Sequence, residues 1–233
     1  MRKAWLCLIL LLLAAGAASL GLLKNPPAFR AMSLSPASAY TLIIDAGHGG
    51  EDGGAVSVTG VPESQINLAI ACKLEDILAL YGTASHMLRR EDISLHDENA
   101  STLREKKVSD LHNRVSAIQQ TDHPILLSLH QNSYPDPRFR GAQVFYAPTS
   151  GSKELAQHMQ RSLRQYLDAE NTREAKQIPE TVYLMNHISC PAVLVECGFL
   201  TNPQEESLLR QDGYQRKLAC VLSCAVLTLP NFK

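Results

Sequence analysis

Apolar runs alternate along the chain with stretches whose apolar residues recur every three or four positions. The runs cover residues 41–44, 83–89, 124–130, 142–147 and 191–195. Aliphatic and β-branched side chains dominate the most apolar of these runs, which is typical of strands buried on both faces. We therefore predict about five strands, each separated from the next by a loop or by a helix.

The stretches between these runs predict helices. Residues 62–82 carry apolar side chains at helical spacing, from Pro62 at the first position to Gly82 at the end. Thr102 and Glu105 have the spacing of a capping box and predict a helix that runs to about Gln120. Further helices are expected at Lys153–Leu167, from Pro203, and at Tyr214–Leu229. Strands that alternate with helices predict a single α/β domain, in which a mixed, mostly parallel sheet is flanked by helices on both faces.

The first 39 residues follow a different pattern. Arg2 and Lys3 precede Ala4–Leu23, which holds 20 uncharged residues, enough to cross a bilayer as a helix. The small residues 15–17 predict a cleaved signal peptide, whereas the continuation to Leu23 predicts an uncleaved anchor, and we favour an anchor or a slowly cleaved signal. Either places the rest of the protein outside the cytoplasmic membrane. The Pro- and Ser-rich residues 24–39 predict a linker, so the folded domain is expected at 40–233.

Composition narrows the choice of function. The chain has 233 residues, 45% of them hydrophobic, and a formal net charge of −1. These values exclude global disorder and argue against a nucleic-acid partner held by bulk charge. The six cysteines form no C-x-x-C pair, and we expect them to be buried, unpaired thiols.

Three chemically active side chains follow predicted strands. His48 lies in a glycine-rich loop after the first strand, His130 ends the apolar run 124–130, and Glu196 follows the run 191–195. The carboxyl ends of parallel strands are where ligands bind in such sheets. The loop does not match a dinucleotide-binding pattern, because Asp52 stands where the third glycine is required. A carboxylate at the end of a buried strand, such as Glu196, is costly unless it is paired or bound to metal.

Two imidazoles and one carboxylate form a known catalytic zinc set, and a second carboxylate nearby can move protons. Glu63, in the first turn of a helix, is by itself better explained by the helix dipole. No H-E-x-x-H or G-x-S-x-G motif is present. A Cys197–His130 thiol nucleophile is a weaker alternative, because Cys197 should point away from its neighbour Glu196. The remaining candidates are expected to be surface or capping histidines: His96, His112, His123, His158 and His187.

Four stretches resemble the zinc-dependent N-acetylmuramoyl-L-alanine amidases, often called amidase type 3. They are IIDAGHGGEDGGA (43–55), ESQINLAIA (63–71), LLSLHQNS (126–133) and PAVLVECGFLTNPQEESLL (191–209), in the family's order. The resemblance covers residues 40–229. It implies a phosphorylase/hydrolase-like α/β fold, Zn²⁺ on His48, Glu63 and His130, and Glu196 as catalytic acid and base. It also implies cleavage of the amide between the lactyl group of muramic acid and L-alanine.

Some details resemble the germination-specific, CwlD-type branch found in endospore formers, notably HQN (130–132) and YLMNHISCPAVLVECGFL (183–200). That branch acts on spore-cortex peptidoglycan, where removal of side peptides lets a deacetylase complete muramic δ-lactam during sporulation. The sequence departs at Arg89-Arg90-Glu91-Asp92, where many relatives have Thr-Arg-x-x-Asp.

The partners expected from this resemblance are peptidoglycan strands with stem peptides and an accessory protein or a deacetylase acting in sequence. We see no wall-binding repeats, so a membrane tether or a partner would position the enzyme. Three other functions stay open: a stem-peptide peptidase, a non-catalytic peptidoglycan-binding regulator, and a structural protein of the cell surface.

Overall fold

The computed structural model describes residues 40–229. The expected signal peptide or anchor at 1–23 and the linker at 24–39 therefore lie outside the described residues. The strands are β1 (Thr41–Ala46), β2 (Ser85–Met87), β3 (Pro124–Asn132), β4 (Gln143–Tyr146), β5 (Lys176–Gln177) and β6 (Ala192–Phe199). The helices are α1 (Glu63–Leu80), α2 (Leu103–Gln119), α3 (Ser152–Ser162), α4 (Tyr183–Asn186), α5 (Pro203–Leu209) and α6 (Asp212–Leu227).

The six strands form one sheet in the order β2-β1-β3-β6-β4-β5. The strands β2, β1, β3 and β6 are mutually parallel. The strand β4 runs antiparallel to β6, and β5 pairs with β4 in parallel. The prediction of a mixed, mostly parallel sheet is confirmed. In this order β3 and β6 lie side by side at the centre, so their carboxyl ends meet.

Both faces of the sheet are covered, as predicted. Ile44 and Leu127 pack in one apolar cluster with residues of α1, α3 and α6. Their neighbours Ile43 and Leu126 point the other way, into a second cluster with residues of α2 and α4. This alternation follows from the pleat of the strands. We refer below to the second side as the α2–α4 face.

Local chemistry explains where the helices begin. Pro62 has an extended backbone and ends the loop before α1. The predicted capping box is present at α2, because the Thr102 hydroxyl accepts from Glu105 N–H and the Glu105 side chain reaches back. Asn202 caps α5 through the N–H groups of the next turn. These contacts satisfy backbone donors that the helices leave free at their first turn.

Several boundaries differ from the prediction. The run 83–89 shrinks to the three residues of β2. The short elements β5 and α4 were not expected, since neither has enough residues to show a period. The helix predicted at 153–167 ends as a π-helical turn, Leu163–Leu167. No helix within residues 40–229 has both the length and the hydropathy required to cross a bilayer.

The β3–β6 pairing is irregular at its carboxyl end. His130 pairs with Glu196, but Asn132 pairs with Phe199, so three residues of β6 match two of β3. Such a bulge adds one residue to one strand. Since side chains alternate, the extra residue returns Phe199 to the face that carries Glu196.

The cysteines fit the expectation only in part. Cys72, Cys190, Cys197, Cys220 and Cys224 are all free thiols, and Cys7 lies outside the described residues. Cys190 and Cys197 are buried as expected. The expectation of burial is wrong for Cys220 and Cys224, because both lie on the solvent side of α6.

Candidate metal and catalytic site

His48 lies two residues beyond β1, in the glycine-rich loop. Its backbone has a positive φ of 62°, a conformation uncommon outside glycine. The loop starts where Gly47 N–H donates to the Leu129 carbonyl of β3, at 3.0 Å. This contact ties the loop to the strand that carries His130.

Glu63, the first residue of α1, is 3% exposed. Its Oε1 accepts from Gln131 N–H at 3.0 Å and its Oε2 from Ala55 N–H at 3.0 Å. Asn67, one turn along α1, donates to Oε1 at 3.2 Å. These donors fix the carboxylate plane, so Glu63 does more than complement the helix dipole.

His48, Glu63 and His130 come together as the resemblance implied. Nε2 of His48 lies 3.4 Å from Oε2 of Glu63, and Nδ1 of His130 lies 2.9 Å from Oε1. One ligand atom from each of the three lies within 4.8 Å of the others. Tetrahedral zinc ligands with bonds of about 2.0–2.2 Å lie about 3.3–3.6 Å apart. The donor set and its spacing therefore fit a zinc ion after a small contraction.

The ionisation of Glu63 also suits a metal ligand. Burial would raise its pKa, but the hydrogen bond from His130 and the nearby imidazoles lower the pKa to about 2. Glu63 is thus a carboxylate at neutral pH, as metal binding requires.

Asp52 orients His48. Its Oδ2 lies 3.1 Å from Nδ1 of the imidazole, on the side away from Glu63. Contact with His48 and with Lys107 keeps the pKa of Asp52 below its ordinary value. A carboxylate behind a ligand histidine fixes the ring and its tautomer. This role was not predicted from the sequence, although Asp52 follows His48 by four residues in the stretch 43–55.

Two glycines are required by close packing around the cluster. A Cβ added to Gly47 would lie 2.2 Å from Nε2 of His130. One added to Gly54 would lie 2.7 Å from both Oε2 of Glu63 and the His48 ring. Any side chain at either position would displace a candidate ligand, which explains part of the glycine content of this loop.

Two arginines hold the loop from beneath. Arg89 donates to the carbonyls of Ala46 (2.8 Å), Gly47 (3.1 Å) and Ser64 (2.9 Å), and is 2% exposed. Arg89 is therefore a buried arginine in direct contact with the loop that carries His48. Its neighbour Arg90 instead pairs with Glu75 on α1.

Arg114 of α2 is the second arginine. It donates to the carbonyls of Ala46 (3.2 Å) and His48 (2.9 Å) and pairs with the buried Asp45 at the end of β1. It also binds Asp110, one turn earlier on α2, at 2.7 Å. We call Asp45, Arg89 and Arg114 the loop clamp. Its members looked unremarkable in the sequence, because each contact joins distant segments.

Glu196 lies beside the cluster of His48, Glu63 and His130. It is on the α2–α4 face, opposite His130 on the neighbouring strand. Burial raises the pKa of Glu196 to about 7. Repulsion by Glu63 also raises this pKa, whereas attraction by His130 lowers it. Its Oε2 is buried and lacks a hydrogen-bond partner among the described residues. A group that changes protonation near neutral pH and has one free oxygen is suited to general acid–base catalysis.

A cleft opens beside the cluster on the same face. It is lined by His48 and His130, by Lys107 and Leu111 of α2, and by residues 181–185, which include the start of α4. The cleft gives a substrate direct access to the cluster.

The other candidates do not belong to this cluster. Cys197 is 1% exposed, and burial raises the pKa of its thiol, so it is a poor nucleophile. His158 contacts the Ala225 carbonyl, and His112 and His187 contact the Tyr183 ring. Among residues 40–229, no further group of three histidine, cysteine or acidic side chains is clustered for metal binding.

Comparison with known proteins identifies the family of the chain. Residues 42–227 match the Amidase_3 family model, described as N-acetylmuramoyl-L-alanine amidase. The chain is 34% identical over 205 residues to the germination-specific N-acetylmuramoyl-L-alanine amidase of Bacillus subtilis (strain 168), covering 88% of this chain and 85% of the relative. It is 29% identical to the amidase LytC of the same organism, of which it spans 34%.

Solved structures give the same answer. The CwlD amidase of Clostridioides difficile, in complex with the GerS lipoprotein, is 37% identical with a TM-score of 0.77, over 81% of this chain and 96% of that one. An N-acetylmuramoyl-L-alanine amidase from Clostridium difficile 630 is 30% identical with a TM-score of 0.69, over 82% and 97%. Because the family model spans nearly the whole described domain, the chain belongs to the Amidase_3 family of N-acetylmuramoyl-L-alanine amidases.

Proposed function

We propose that this protein is a zinc-dependent hydrolase that cleaves the amide between N-acetylmuramic acid and L-alanine in peptidoglycan. The observation that carries the proposal is the cluster of His48, Glu63 and His130 beside a buried Glu196 whose Oε2 has no partner. Family membership supports the reaction class, and the cluster supports the metal.

His48, Glu63 and His130 would hold the ion. Zinc supplies a Lewis acid that polarises the scissile carbonyl and lowers the pKa of water. Asp52 and the N–H groups of Ala55 and Gln131 keep the ligand atoms oriented. The protein thus contributes a preformed set that needs little rearrangement on binding.

Glu196 moves the proton. As a carboxylate, it accepts a proton from the water that attacks the lactyl carbonyl carbon. As the C–N bond breaks, it donates that proton to the departing nitrogen of L-alanine. Burial raises the pKa of Glu196, which brings the carboxyl closer to the range suited to a group that first accepts and then returns a proton.

The test combines metal analysis with product analysis. The purified protein, loaded with zinc, is incubated with muropeptides, and the products are identified by mass spectrometry. We expect free stem peptides that begin with L-alanine. Products cut further along the stem would instead establish the peptidase, and binding without cleavage would establish the non-catalytic regulator.

Matched variants assign the roles. Glu196→Gln should retain zinc and lose turnover, whereas the exposed Glu98→Gln should retain both. His48→Ala and His130→Ala should lose zinc, measured by plasma mass spectrometry, whereas the exposed His86→Ala should keep it. Full turnover by Glu196→Gln, or normal metal content in either ligand variant, would contradict these assignments.

For the biological substrate, we propose spore-cortex peptidoglycan. The protein would contribute to the formation of muramic δ-lactam during sporulation, and the effect would be seen at germination. The support is the likeness to a germination-specific amidase and to CwlD. Cortex fragments treated first with this protein and then with a muramoyl deacetylase should yield muramic δ-lactam. Lactam yield equal to that of deacetylase alone would contradict the proposal.

We also propose export, with residues 1–23 as signal peptide or anchor, 24–39 as linker and 40–233 as the catalytic domain. The CwlD structure contains the GerS lipoprotein, which supports an accessory protein for this chain as well. Membrane fractionation and intact-mass analysis of the expressed protein distinguish an anchor from a cleaved signal. Recovery in the cytoplasmic fraction would contradict export.

A further inference from the structure

Arg173 lies in the loop before β5, and its position is fixed on several sides. Its Nε donates to the Arg140 carbonyl at 2.7 Å, and its Nη1 donates to Oε1 of Gln143 at 2.9 Å. The guanidinium lies 4.5 Å from the centroid of the Phe199 ring. Its own backbone N–H donates to Asn171, which is tied to β4. This is an arginine with little freedom to move.

The charge of Arg173 is nevertheless not neutralised by contact. A guanidinium has five N–H donors, and the two bonds above use only two of them. No carboxylate of the described residues lies within ion-pair distance of Arg173. Glu205 attracts it from farther away, but the Glu205 oxygens accept from the N–H groups of Gly141 and Phe199, at 2.8 Å each. A fixed, partly buried cation with free donors is suited to binding an anionic ligand.

The sheet places this cation on the catalytic face. Gln143, which holds Arg173, is the direct partner of Glu196 across the β4–β6 pair. Side chains of directly opposed residues lie on the same face, with Cβ atoms about 5 Å apart. Phe199, which lies under the guanidinium, is returned to that face by the bulge in β6. Two contacts therefore place Arg173 on the same face of the sheet as Glu196.

The distance between Arg173 and the scissile amide can be estimated from the strand geometry. Phe199 follows Glu196 by three strand residues, or about 10 Å of backbone. An extended peptide spans about 3.3 Å per residue, so Arg173 lies about two or three residues from a scissile bond positioned at Glu196. The glycan side of that bond carries neutral sugars, whereas the peptide side carries free carboxylates. The nearby anions of the substrate are thus on the stem peptide.

We propose that Arg173 forms a subsite for a free carboxylate of the peptidoglycan stem peptide, within about three residues of the scissile amide. The fork of N–H donors would bind the carboxylate, and Gln143 and Phe199 would hold the fork in place. This inference rests on the proposed function, because it takes peptidoglycan as the substrate. The inference adds a residue, Arg173, that favours stem peptides with a free, ionised carboxylate.

The test compares an N-acetylmuramoyl tripeptide that has free stem carboxylates with the same compound converted to carboxamides. For the zinc-loaded wild type we expect KM about tenfold lower on the free acid, since a charge-assisted hydrogen bond has that magnitude. Arg173→Gln should lose this preference through KM, with kcat unchanged, and should cleave the carboxamide as the wild type does. Arg173→Lys should recover part of the preference.

Arg161→Gln is the matched control, because Arg161 is exposed near the end of α3 and does not line the pocket that Arg173 lines. It should behave as the wild type on both compounds. Equal KM values for the wild type would overturn the proposal. An equal loss on both compounds in Arg173→Gln would show that the arginine is only structural.

A binding measurement separates this inference from the proposed function. In the Glu196→Gln background, calorimetry gives the affinity for the two compounds without turnover, with and without Arg173→Gln. If the wild type cleaves neither compound, the proposed function fails, and this binding preference still decides the role of Arg173. A preference for the free acid that disappears with Arg173→Gln supports the subsite, and no preference overturns it.

Discussion

The loop clamp offers a sharp test of how the candidate site is held. Arg114 and Asp45 are 2% and 1% exposed, and both lie under the loop that carries His48. Replacing Arg114 by Met removes the cation but keeps most of the side-chain volume. It leaves the buried Asp45 carboxylate without its arginine partner, although the Ser128 hydroxyl still donates to it. The His48 carbonyl loses its donor, whereas the Ala46 carbonyl keeps the bond from Arg89. Breaking a buried ion pair from one side costs about 3–5 kcal/mol.

Urea unfolding of the metal-free protein at pH 7 measures this cost directly. The double variant Asp45→Asn, Arg114→Met should recover a substantial part of the loss, because neither charge then remains buried. Arg104→Met, an exposed position on the same helix, should change stability by less than about 0.5 kcal/mol. A loss below about 1 kcal/mol in Arg114→Met, or no recovery in the double variant, would refute the clamp.

The pH dependence has a definite sign. Burial opposes ionisation of Asp45, but Arg114 and the Ser128 hydroxyl keep its pKa below the ordinary value. Its contribution to wild-type stability is therefore present above about pH 4 and is lost as pH falls through the folded-state pKa. Without Arg114, burial is opposed only by the Ser128 hydroxyl and His130, so the pKa of Asp45 rises. The penalty of Arg114→Met should then be smaller at pH 5 than at pH 7.

Three further predictions concern the cluster itself. Gly47→Ala should abolish zinc binding, because the new Cβ would lie 2.2 Å from His130, whereas Gly213→Ala, with open space around it, should bind zinc normally. Metal analysis after dialysis decides this. Asp52→Ala should weaken zinc affinity about 10- to 100-fold, measured by chelator competition. Cys197→Ala should retain kcat within about twofold while losing about 1 kcal/mol of stability, and loss of turnover would revive the thiol mechanism.

The strand ends were predictable because a buried strand appears in the sequence as a short run of apolar residues. The apolar runs before His48, His130 and Glu196 located these side chains at one edge of the sheet. The first turn of α1 gave no such signature, so Glu63 on its own resembled an ordinary helix-dipole acid. Its partners are distant in sequence, and His130 is 67 positions away. The family resemblance supplied that assignment, and the structure places the two side chains in contact.

Residues that support the site were the hardest to predict. Asp45, Arg89 and Arg114 act through backbone carbonyls, and a carbonyl acceptor leaves no trace in the sequence. The bulge that reorients Phe199 depends on how β6 pairs with β3, which is also a non-local property. The exposed Cys220 and Cys224 show the opposite error, because residue type alone suggested burial and the orientation of α6 decided otherwise.

The residues of the cluster are far apart in the sequence, and this affects the stage of folding at which the proposed metal site forms. His48, Glu63 and His130 belong to a loop, a helix and a strand that meet only after β1 pairs with β3 and α1 docks on the sheet. Closing such long loops is entropically slow, so this meeting belongs late in folding. On the proposed function, the chain therefore acquires its ion only after this part of its core is complete. Metal binding would then mark the transition from an inactive polypeptide to an active amidase.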